Sequence, residues 1–182
     1  MNSPRHHLFI LGAGRPYSGV KPSALVPTNT DQVVLDWILD AFKSLKNLGI
    51  HFIGGYGVDQ IKAEFPSVDF IFNPDWDCTG SGISLLSAPF VPKTTNYSCY
   101  ADTVISPAAV NLVTSIPDEV VIAVDTTWQK RYANRTQTDR TMAEKVKLLN
   151  EDVMAIGRDI PITDAHAEFT GLVKFGPRAI TK

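Results

Sequence analysis

The chain has 182 residues, of which 44% are hydrophobic and 20% are charged, and its formal net charge at pH 7 is −2. These values are typical of a globular protein that buries its own core. The balanced charge argues against a nucleic-acid-binding protein and against a polybasic membrane module. No apolar run approaches the ~20 residues that span a bilayer, and the run Leu8-Phe9-Ile10-Leu11 is too short for a signal peptide, so we expect a cytoplasmic protein. The two cysteines, Cys78 and Cys99, predict no disulfide framework.

The first half of the chain alternates predicted strands and helices. Short apolar runs predict strands at residues 7–11, 50–53 and 68–72. Apolar residues at helical spacing over 34–48 predict a helix that Thr30 or Asp31 caps and that Gly49 ends. A shorter helix is predicted over 58–65.

The second half continues the alternation and then changes to antiparallel signals. Apolar runs predict strands at 97–101, 120–124 and 169–175. Pro107 stands at the favoured first position of a predicted helix. Residues 145–149 and 153–156 flank a polar turn and predict a hairpin.

This order of elements predicts an α/β fold with three layers, a mostly parallel central sheet with helices on both faces. Ligands in such folds bind at the carboxyl ends of the strands. The residues that follow the predicted strands are therefore the candidates for a site: 12–21, 54–56, 73–84, Asp102 and Asp125.

The segment Gly12-Ala13-Gly14-Arg15 directly follows the first predicted strand. A dinucleotide fingerprint would need a glycine where Tyr17 stands, and a P-loop would need its lysine one residue before Lys21. Two interpretations remain. The segment is either a longer loop whose glycines admit a nucleotide and whose Arg15 and Lys21 bind its triphosphate, or a tight turn with two solvated cations.

Several short motifs follow one another along nearly the whole chain. They are Leu11-Gly12-Ala13-Gly14, Lys21 to Pro27, Val34-Leu35-Asp36-Trp37, Gly49-Ile50 with Gly54-Gly55-Tyr56, Asn73 with Thr79-Gly80-Ser81 and Ser84-Leu85, Asp102, Glu144-Lys145-Val146, and Glu168-Phe169-Thr170-Gly171. The ordered set resembles the nucleotidyltransferases that activate sugar phosphates or phosphocholine-type phosphates, and the last two motifs resemble the cytidylyltransferases among them. The resemblance implies a Rossmann-like fold of the nucleotide-diphospho-sugar-transferase type and a single nucleotidyltransferase domain over residues 1–182.

The resemblance also implies an activity. A nucleoside monophosphate, with CMP favoured, would pass from a nucleoside triphosphate such as CTP to a small phosphate or phosphonate acceptor, with Mg²⁺ as cofactor and pyrophosphate as the leaving group. No nucleic acid or membrane partner is expected.

The expected site residues fall into three groups. The catalytic group is Arg15, Lys21 and Asp102, with Asp102 also the metal ligand. The nucleotide-binding group is Leu11, Gly12, Ala13, Gly14, Gly55, Thr79, Gly80 and Ser81. The acceptor-binding group is Asp125, Lys145 and Glu168. Two further segments attract attention: Trp128, Arg131 and Tyr132 could form a cage for a trimethylammonium group, whereas Asp75-Trp76-Asp77 predicts only a solvated loop.

Two departures from the family pattern keep alternatives open. Where the family has Pro-Lys-x-Leu, this chain has Pro22-Ser23-Ala24-Leu25, without the lysine. Family members also place a second metal-binding aspartate beyond the position of Lys182. Either this chain is a fragment of a longer one with a further C-terminal domain, or another carboxylate completes the metal site. The alternative functions are a sugar-1-phosphate nucleotidyltransferase that uses UTP, GTP or dTTP, a non-catalytic nucleotide-binding domain, and an unrelated α/β protein that binds a dinucleotide.

Overall fold

The computed structural model describes residues 5–16 and 19–180; Tyr17, where the dinucleotide fingerprint fails, lies outside this part. The chain divides into two compact units, one of Met1–Val121 with Val173–Lys182 and one of Ile122–Leu172. None of the helices among the described residues is long and apolar enough to cross a bilayer.

Among the described residues of the first unit, four strands lie parallel in the order β3-β2-β1-β4. Their bounds are His6–Gly12 for β1, Leu48–Gly54 for β2, Asp69–Phe72 for β3 and Thr95–Tyr100 for β4. The last residues of β8 (Ala167–Phe175) pair with β4 in the antiparallel direction. The strands predicted at 7–11, 50–53, 68–72 and 97–101 are thus confirmed, with small shifts at their ends.

The centre of the first unit is the strand β1, which has a neighbour on each side. Leu8, Phe9 and Ile10 are fully buried, as a continuous apolar run in an inner parallel strand should be. Phe9 packs with Ile53 and Ala88 in one cluster. This buried strand fixes the position of the glycine segment that follows it.

The first unit also carries the helices α1 (Val34–Ala41), α2 (Val58–Glu64), α3 (Ser81–Leu86) and α4 (Pro107–Ser115). Pro107 opens α4 as predicted, and the hydroxyl of Ser106 caps the helix by accepting a hydrogen bond from Ala109 N at 3.2 Å. Helix α3 was not predicted, because its six residues carry no clear apolar period.

The predicted helix over 34–48 is too long. It ends at Ala41, and the chain reverses at Asn47, which has a φ of 57°. Gly49 lies inside β2 rather than at a helix end. A Cβ at position 49 would stand 3.0 Å from His7 Nδ1. Position 49 is therefore a glycine because His7 on the neighbouring strand leaves little room for a side chain. The sequence around Gly49 does not reveal this contact.

The predicted cap of α1 is also wrong. The residue before the helix is Val33, whose N–H donates to the Asp36 carboxylate at 2.9 Å. Thr30 instead belongs to a turn in which its hydroxyl lies 2.9 Å from that of Thr28. The helix therefore begins three residues later than the first polar candidate.

The second unit contains the predicted hairpin, formed by β6 (Lys145–Leu149) and β7 (Asp152–Gly157) around Asn150, which has a φ of 57°. The first residues of β8 pair with β6, so that Lys145 lies opposite Glu168. Two short helices that were not predicted, α5 (Trp128–Arg131) and α6 (Gln137–Met142), complete this unit.

Strand β5 (Val120–Asp125) pairs with β8, and both strands contribute residues to each unit. The predicted α/β class is confirmed as a mixed sheet with a parallel core and helices. The single domain expected over 1–182 stays a prediction.

Candidate functional site

The carboxyl ends of three parallel strands meet at one edge of the first unit. Gly12 in β1 pairs with Gly54 in β2, and Leu11 pairs with Tyr100 in β4. Beyond β4, Ala101 N donates to Leu11 O at 3.0 Å. This edge therefore brings together a large part of the predicted nucleotide group and the predicted metal ligand: Leu11, Gly12, Ala13, Gly14, Gly55 and Asp102.

The glycines at this edge are of two kinds. A Cβ at Gly12 would stand 2.3 Å from Phe52 Cζ, and one at Gly55 would stand 2.4 Å from Trp76 Cβ. Packing within the chain therefore requires these two glycines. At Gly14 and Gly80 a Cβ would meet nothing within 4 Å. The space beside the backbone at these two glycines is therefore not filled by other described residues of the chain.

The loop after β3 is organised by Asn73, whose side chain is only 2% exposed. Its Nδ2 donates to Thr79 Oγ1 at 3.1 Å and to Ser84 Oγ at 3.0 Å, while its Oδ1 accepts from Asp75 N at 3.0 Å. Thr79 Oγ1 in turn donates to Asp75 O at 2.7 Å. Asn73 thus holds both ends of the loop that carries Gly80 and the start of α3.

Arg15 and Lys21 are both exposed. The Arg15 guanidinium carbon lies 5.3 Å from the ring centre of Tyr56 and 5.6 Å from that of Trp76. Sequence reasoning assigned no role to Trp76, since the alternating aspartates around it predict only a solvated loop. The signal that could have found it is the glycine at position 55, which a bulky neighbour explains.

Asp102 is exposed just beyond β4, and Thr103 Oγ1 donates to its Oδ1 at 3.3 Å. Within the described part of the chain, no three His, Cys, Asp or Glu side chains cluster closely enough to hold a metal ion. Mg²⁺ typically takes one or two protein carboxylates and completes its octahedron with phosphate oxygens and water. One exposed carboxylate can therefore serve a cation whose other ligands are phosphate oxygens of a nucleotide and water. It does not form a closed metal site by itself.

In the second unit, Arg131 joins two of the three predicted acceptor residues. Its Nε donates to Asp125 Oδ2 at 3.0 Å, and its Nη2 donates to Glu168 Oε2. Asp125 Oδ1 also accepts from the backbone and hydroxyl of Thr127, at 2.7 and 2.8 Å. Tyr132 donates its hydroxyl to Glu168 Oε1 at 2.5 Å. The two carboxylates are thus occupied by donors of the protein itself.

These contacts fix protonation states. Burial opposes the charged form of Asp125, but the hydrogen bonds from Thr127 and Arg131 outweigh it and lower the pKa of this carboxyl. Burial, with the Glu168 carboxylate beside it, raises the pKa of Tyr132 to about 12. At neutral pH, therefore, Asp125 is an acceptor and Tyr132 is a donor.

Lys145, the third predicted acceptor residue, is 1% exposed. Its ammonium donates to Thr141 O at 2.9 Å and to Ala143 O at 3.1 Å, at the carboxyl end of α6. Burial lowers the pKa of this lysine. The geometry gives Lys145 a place in the structure of α6, where a cation stabilises the unpaired helix carbonyls.

The aromatic cage considered for Trp128, Arg131 and Tyr132 does not form. Trp128 is 1% exposed and Tyr132 is 8% exposed. The two rings pack edge to face, with centroids 5.6 Å apart, in a small core that also contains Ala143. Helical spacing in α5 turns Trp128 inward, and the face that a ligand would need is covered.

No protein-family model matches the sequence. The chain is similar to the CTP:phosphoglutamine cytidylyltransferase of Campylobacter jejuni, with 26% identity over 92% of this chain and 72% of that protein. Among solved structures, it resembles the inositol-1-phosphate CTP transferase of T. maritima, with a TM-score of 0.66, 17% identity and coverage of 96% of this chain and 71% of that one.

A third similar protein is a glucose-1-phosphate thymidylyltransferase, described as putative, from Bacillus anthracis. Its structure matches with a TM-score of 0.70 and 14% identity, over 95% of this chain and 72% of that one. At these identities the structural likeness shows the fold. The resemblance to nucleotidyltransferases that the ordered motifs predict is confirmed, and the sequence similarity is to a cytidylyltransferase.

Proposed function

We propose that this chain is a cytidylyltransferase, which transfers CMP from CTP to a small phosphate or phosphonate acceptor and releases pyrophosphate. The observation that carries the proposal is the edge of the first unit, where the glycine segment after β1, the Asn73 loop and Asp102 meet. The similarity to a CTP-dependent relative favours cytosine among the bases.

The nucleotide binds at this edge. Leu11 to Gly14, Gly55 and the segment Thr79-Gly80-Ser81 surround it, and the open space beside Gly14 and Gly80 lets it approach the backbone. Arg15 and Lys21 are exposed cations on the same segment and neutralise the triphosphate. Lys21 replaces the family lysine that is absent at position 23.

The reaction needs positioning more than acid–base catalysis. An acceptor oxygen that is already anionic attacks the α-phosphorus of CTP, one phosphorus–oxygen bond forms, and the bond to the β-phosphate breaks. Pyrophosphate leaves with that electron pair. Cations that offset the charge spread over the transferring group contribute most of the stabilisation in such reactions.

Asp102 would hold the divalent cation, which we propose to be Mg²⁺. The cation would supply charge neutralisation at the phosphates when bound. Asp102 has the exposure and position for this role, and the rest of the chain supplies the cations and the backbone donors.

The second unit is proposed to bind the acceptor at Asp125, Glu168 and Lys145, with Lys145 acting indirectly: its buried ammonium bonds the end of α6 and so fixes the strand on which it lies opposite Glu168. Asp125 and Glu168 act there through Arg131, since their oxygens are engaged by it. The names of the similar proteins give phosphoglutamine, inositol 1-phosphate and glucose 1-phosphate as the range of acceptors to try. The likeness to the thymidylyltransferase supports a sugar-1-phosphate enzyme as the second candidate.

Pyrophosphate release tests the proposal. The wild-type chain is incubated with Mg²⁺ and CTP, UTP, GTP or dTTP, each with phosphoglutamine, phosphocholine, inositol 1-phosphate or glucose 1-phosphate. We expect acceptor-dependent release that is fastest with CTP. Asp102→Asn should abolish it while leaving the circular dichroism spectrum unchanged.

Release that is fastest with UTP, GTP or dTTP and glucose 1-phosphate would establish the sugar-phosphate enzyme instead. Binding of a triphosphate without release for any acceptor would support a non-catalytic nucleotide-binding domain. Full activity of Asp102→Asn would remove this carboxylate from the mechanism.

A further inference from the structure

Two arginines of this chain are held in different ways. In the second unit, Arg131 is fixed by two carboxylates, which occupy its Nε and Nη2 donors and offset its charge. In the first unit, Arg15 stands over two aromatic rings, at 5.3 and 5.6 Å. An aromatic face orients a guanidinium through its π system and occupies none of its N–H donors. As far as the described residues of the chain are concerned, Arg15 thus keeps its charge and its donors for an external anion.

The rings of Tyr56 and Trp76, which we call the aromatic shelf, are themselves held in place. Tyr56 N donates to Ala13 O at 2.9 Å and its hydroxyl donates to Val20 O at 2.9 Å, so this residue contacts the segment on both sides of Arg15. The two ring centres lie 5.7 Å apart at 59°.

Trp76 is seated on a glycine. A Cβ at Gly55 would lie 2.4 Å from Trp76 Cβ and Cγ, so this tryptophan takes its position only because residue 55 has no side chain. Both rings of the shelf are half-buried, whereas Arg15 is exposed. The Arg15 side chain therefore lies on two rings whose own positions are set by hydrogen bonds and by packing.

We propose that the aromatic shelf, and Trp76 above all, positions Arg15 to bind the triphosphate of the nucleotide. The inference rests on the proposed function and adds positioning residues to it. An arginine on a free side chain must lose its rotamer freedom on binding, whereas one already oriented loses less. The shelf thus acts on the phosphates through Arg15, with no contact to the base.

The test is a double-mutant cycle on binding, measured by titration calorimetry with Mg·CTP and with tripolyphosphate, which has no base. Trp76→Leu should weaken both ligands by the same factor, roughly 3- to 30-fold, the range of a cation–aromatic contact. Trp76→Phe should restore affinity to within about threefold, since it keeps a ring. In the Arg15→Ala background, adding Trp76→Leu should change affinity by less than about twofold.

Phe90→Leu is the matched control, because Phe90 is a half-buried ring of the same unit that packs on Phe9 and Phe175 instead. Its affinity should equal that of the wild type. A second measurement does not depend on the folding of Trp76→Leu. Tripolyphosphate should change the tryptophan fluorescence of the wild type, to which Trp37, Trp76 and Trp128 contribute, and should change neither that of Arg15→Ala, which keeps all three, nor that of Trp76→Phe, which lacks only Trp76.

The outcomes separate the two proposals. If the wild-type chain binds neither CTP nor tripolyphosphate, the proposed function is overturned and the inference with it. Binding by the wild type with unchanged affinity in Trp76→Leu, with additive effects of the two substitutions, or with an equal fluorescence change in Arg15→Ala, would overturn the inference alone. A loss for CTP without a loss for tripolyphosphate would show that Trp76 contacts the base or ribose, and would also overturn it.

Discussion

Single buried polar residues decide the shape of the loops at the candidate site. Asn73 uses both its amide nitrogen and its oxygen within one turn, and its side chain is almost fully buried. A buried amide that loses its partners, or partners that lose the amide, leaves polar groups without hydrogen bonds. The conformation of the loop with Thr79 and Gly80 therefore depends on the hydrogen bonds of Asn73.

We predict that Asn73→Ala lowers the free energy of unfolding by about 1–3 kcal/mol, since it leaves the partners of a buried amide unpaired. It should also weaken CTP binding. Urea denaturation and calorimetry measure the two effects. Ser87→Ala, which removes only an exposed hydroxyl bonded to Ile83 O, is the control and should change stability little. Equal stability of the two variants would contradict the role given to Asn73.

A second residue-scale feature is a pair of histidines on adjacent strands. His7 Nδ1 lies 3.1 Å from His51 Nε2, and Asp69 lies 3.6 Å from the other nitrogen of His51. Burial lowers the pKa of His7, and the charges of His51 and His6 add to the effect. Burial also lowers the pKa of His51, although Asp69 opposes it. Both rings are therefore more readily protonated in the unfolded chain than in the folded one.

The sign of the pH effect follows from these directions. Above the ordinary histidine pKa of 6.5, these rings are neutral in the folded and in the unfolded chain, so they make no contribution to the pH dependence of stability. Below it, the unfolded chain binds protons that the folded chain does not, so stability falls. We predict that the midpoint of urea denaturation falls between pH 7 and pH 5, and falls less in His51→Asn. A variant with the same pH dependence as the wild type would exclude this pair as the source.

At the scale of elements, the sequence predicts a helix boundary correctly where the residues that set the boundary belong to the same helix. Pro107 and Ser106 begin α4 as their chemistry requires. Gly49 misled, because the reason for this glycine lies in His7 on the adjacent strand. The short helices α3, α5 and α6 have four to six residues, too few for an apolar period to emerge.

The cap of α4 gives an element-scale prediction. Ser106→Ala should lower the free energy of unfolding by about 1 kcal/mol, because Ala109 N loses its acceptor. Ser106→Asp should keep most of the stability, since aspartate is also a good cap. Ser115→Ala at the other end of the same helix is the control, and thermal denaturation gives all three values. A loss in Ser115→Ala as large as in Ser106→Ala would show that the effect is not capping.

For the whole molecule, ligand binding should appear as stability. A ligand at a hundred times its dissociation constant stabilises the folded state by about 2.7 kcal/mol, which corresponds to a rise in Tm of about 5–10 °C at this chain length. We predict such a rise with CTP and Mg²⁺, a smaller one with UTP, GTP or ATP, and a loss of most of the effect when EDTA removes the metal. A rise with NAD in place of CTP would point to the dinucleotide-binding alternative.

The sequence by itself determined the α/β class, the places of the parallel strands and the edge at which they end, because buried strands and the turns that stop them depend on local composition. It also placed Leu11 to Gly14, Gly55 and Asp102 at that edge, since parallel strands end on one side of a sheet. The tertiary structure alone decided which glycines serve packing, which arginine is bound by carboxylates, and that Trp76 lies under Arg15. Those facts depend on contacts between residues far apart in the chain, such as Trp76 on Gly55 and Glu168 on Arg131, and no short stretch of sequence identifies both partners of such a contact.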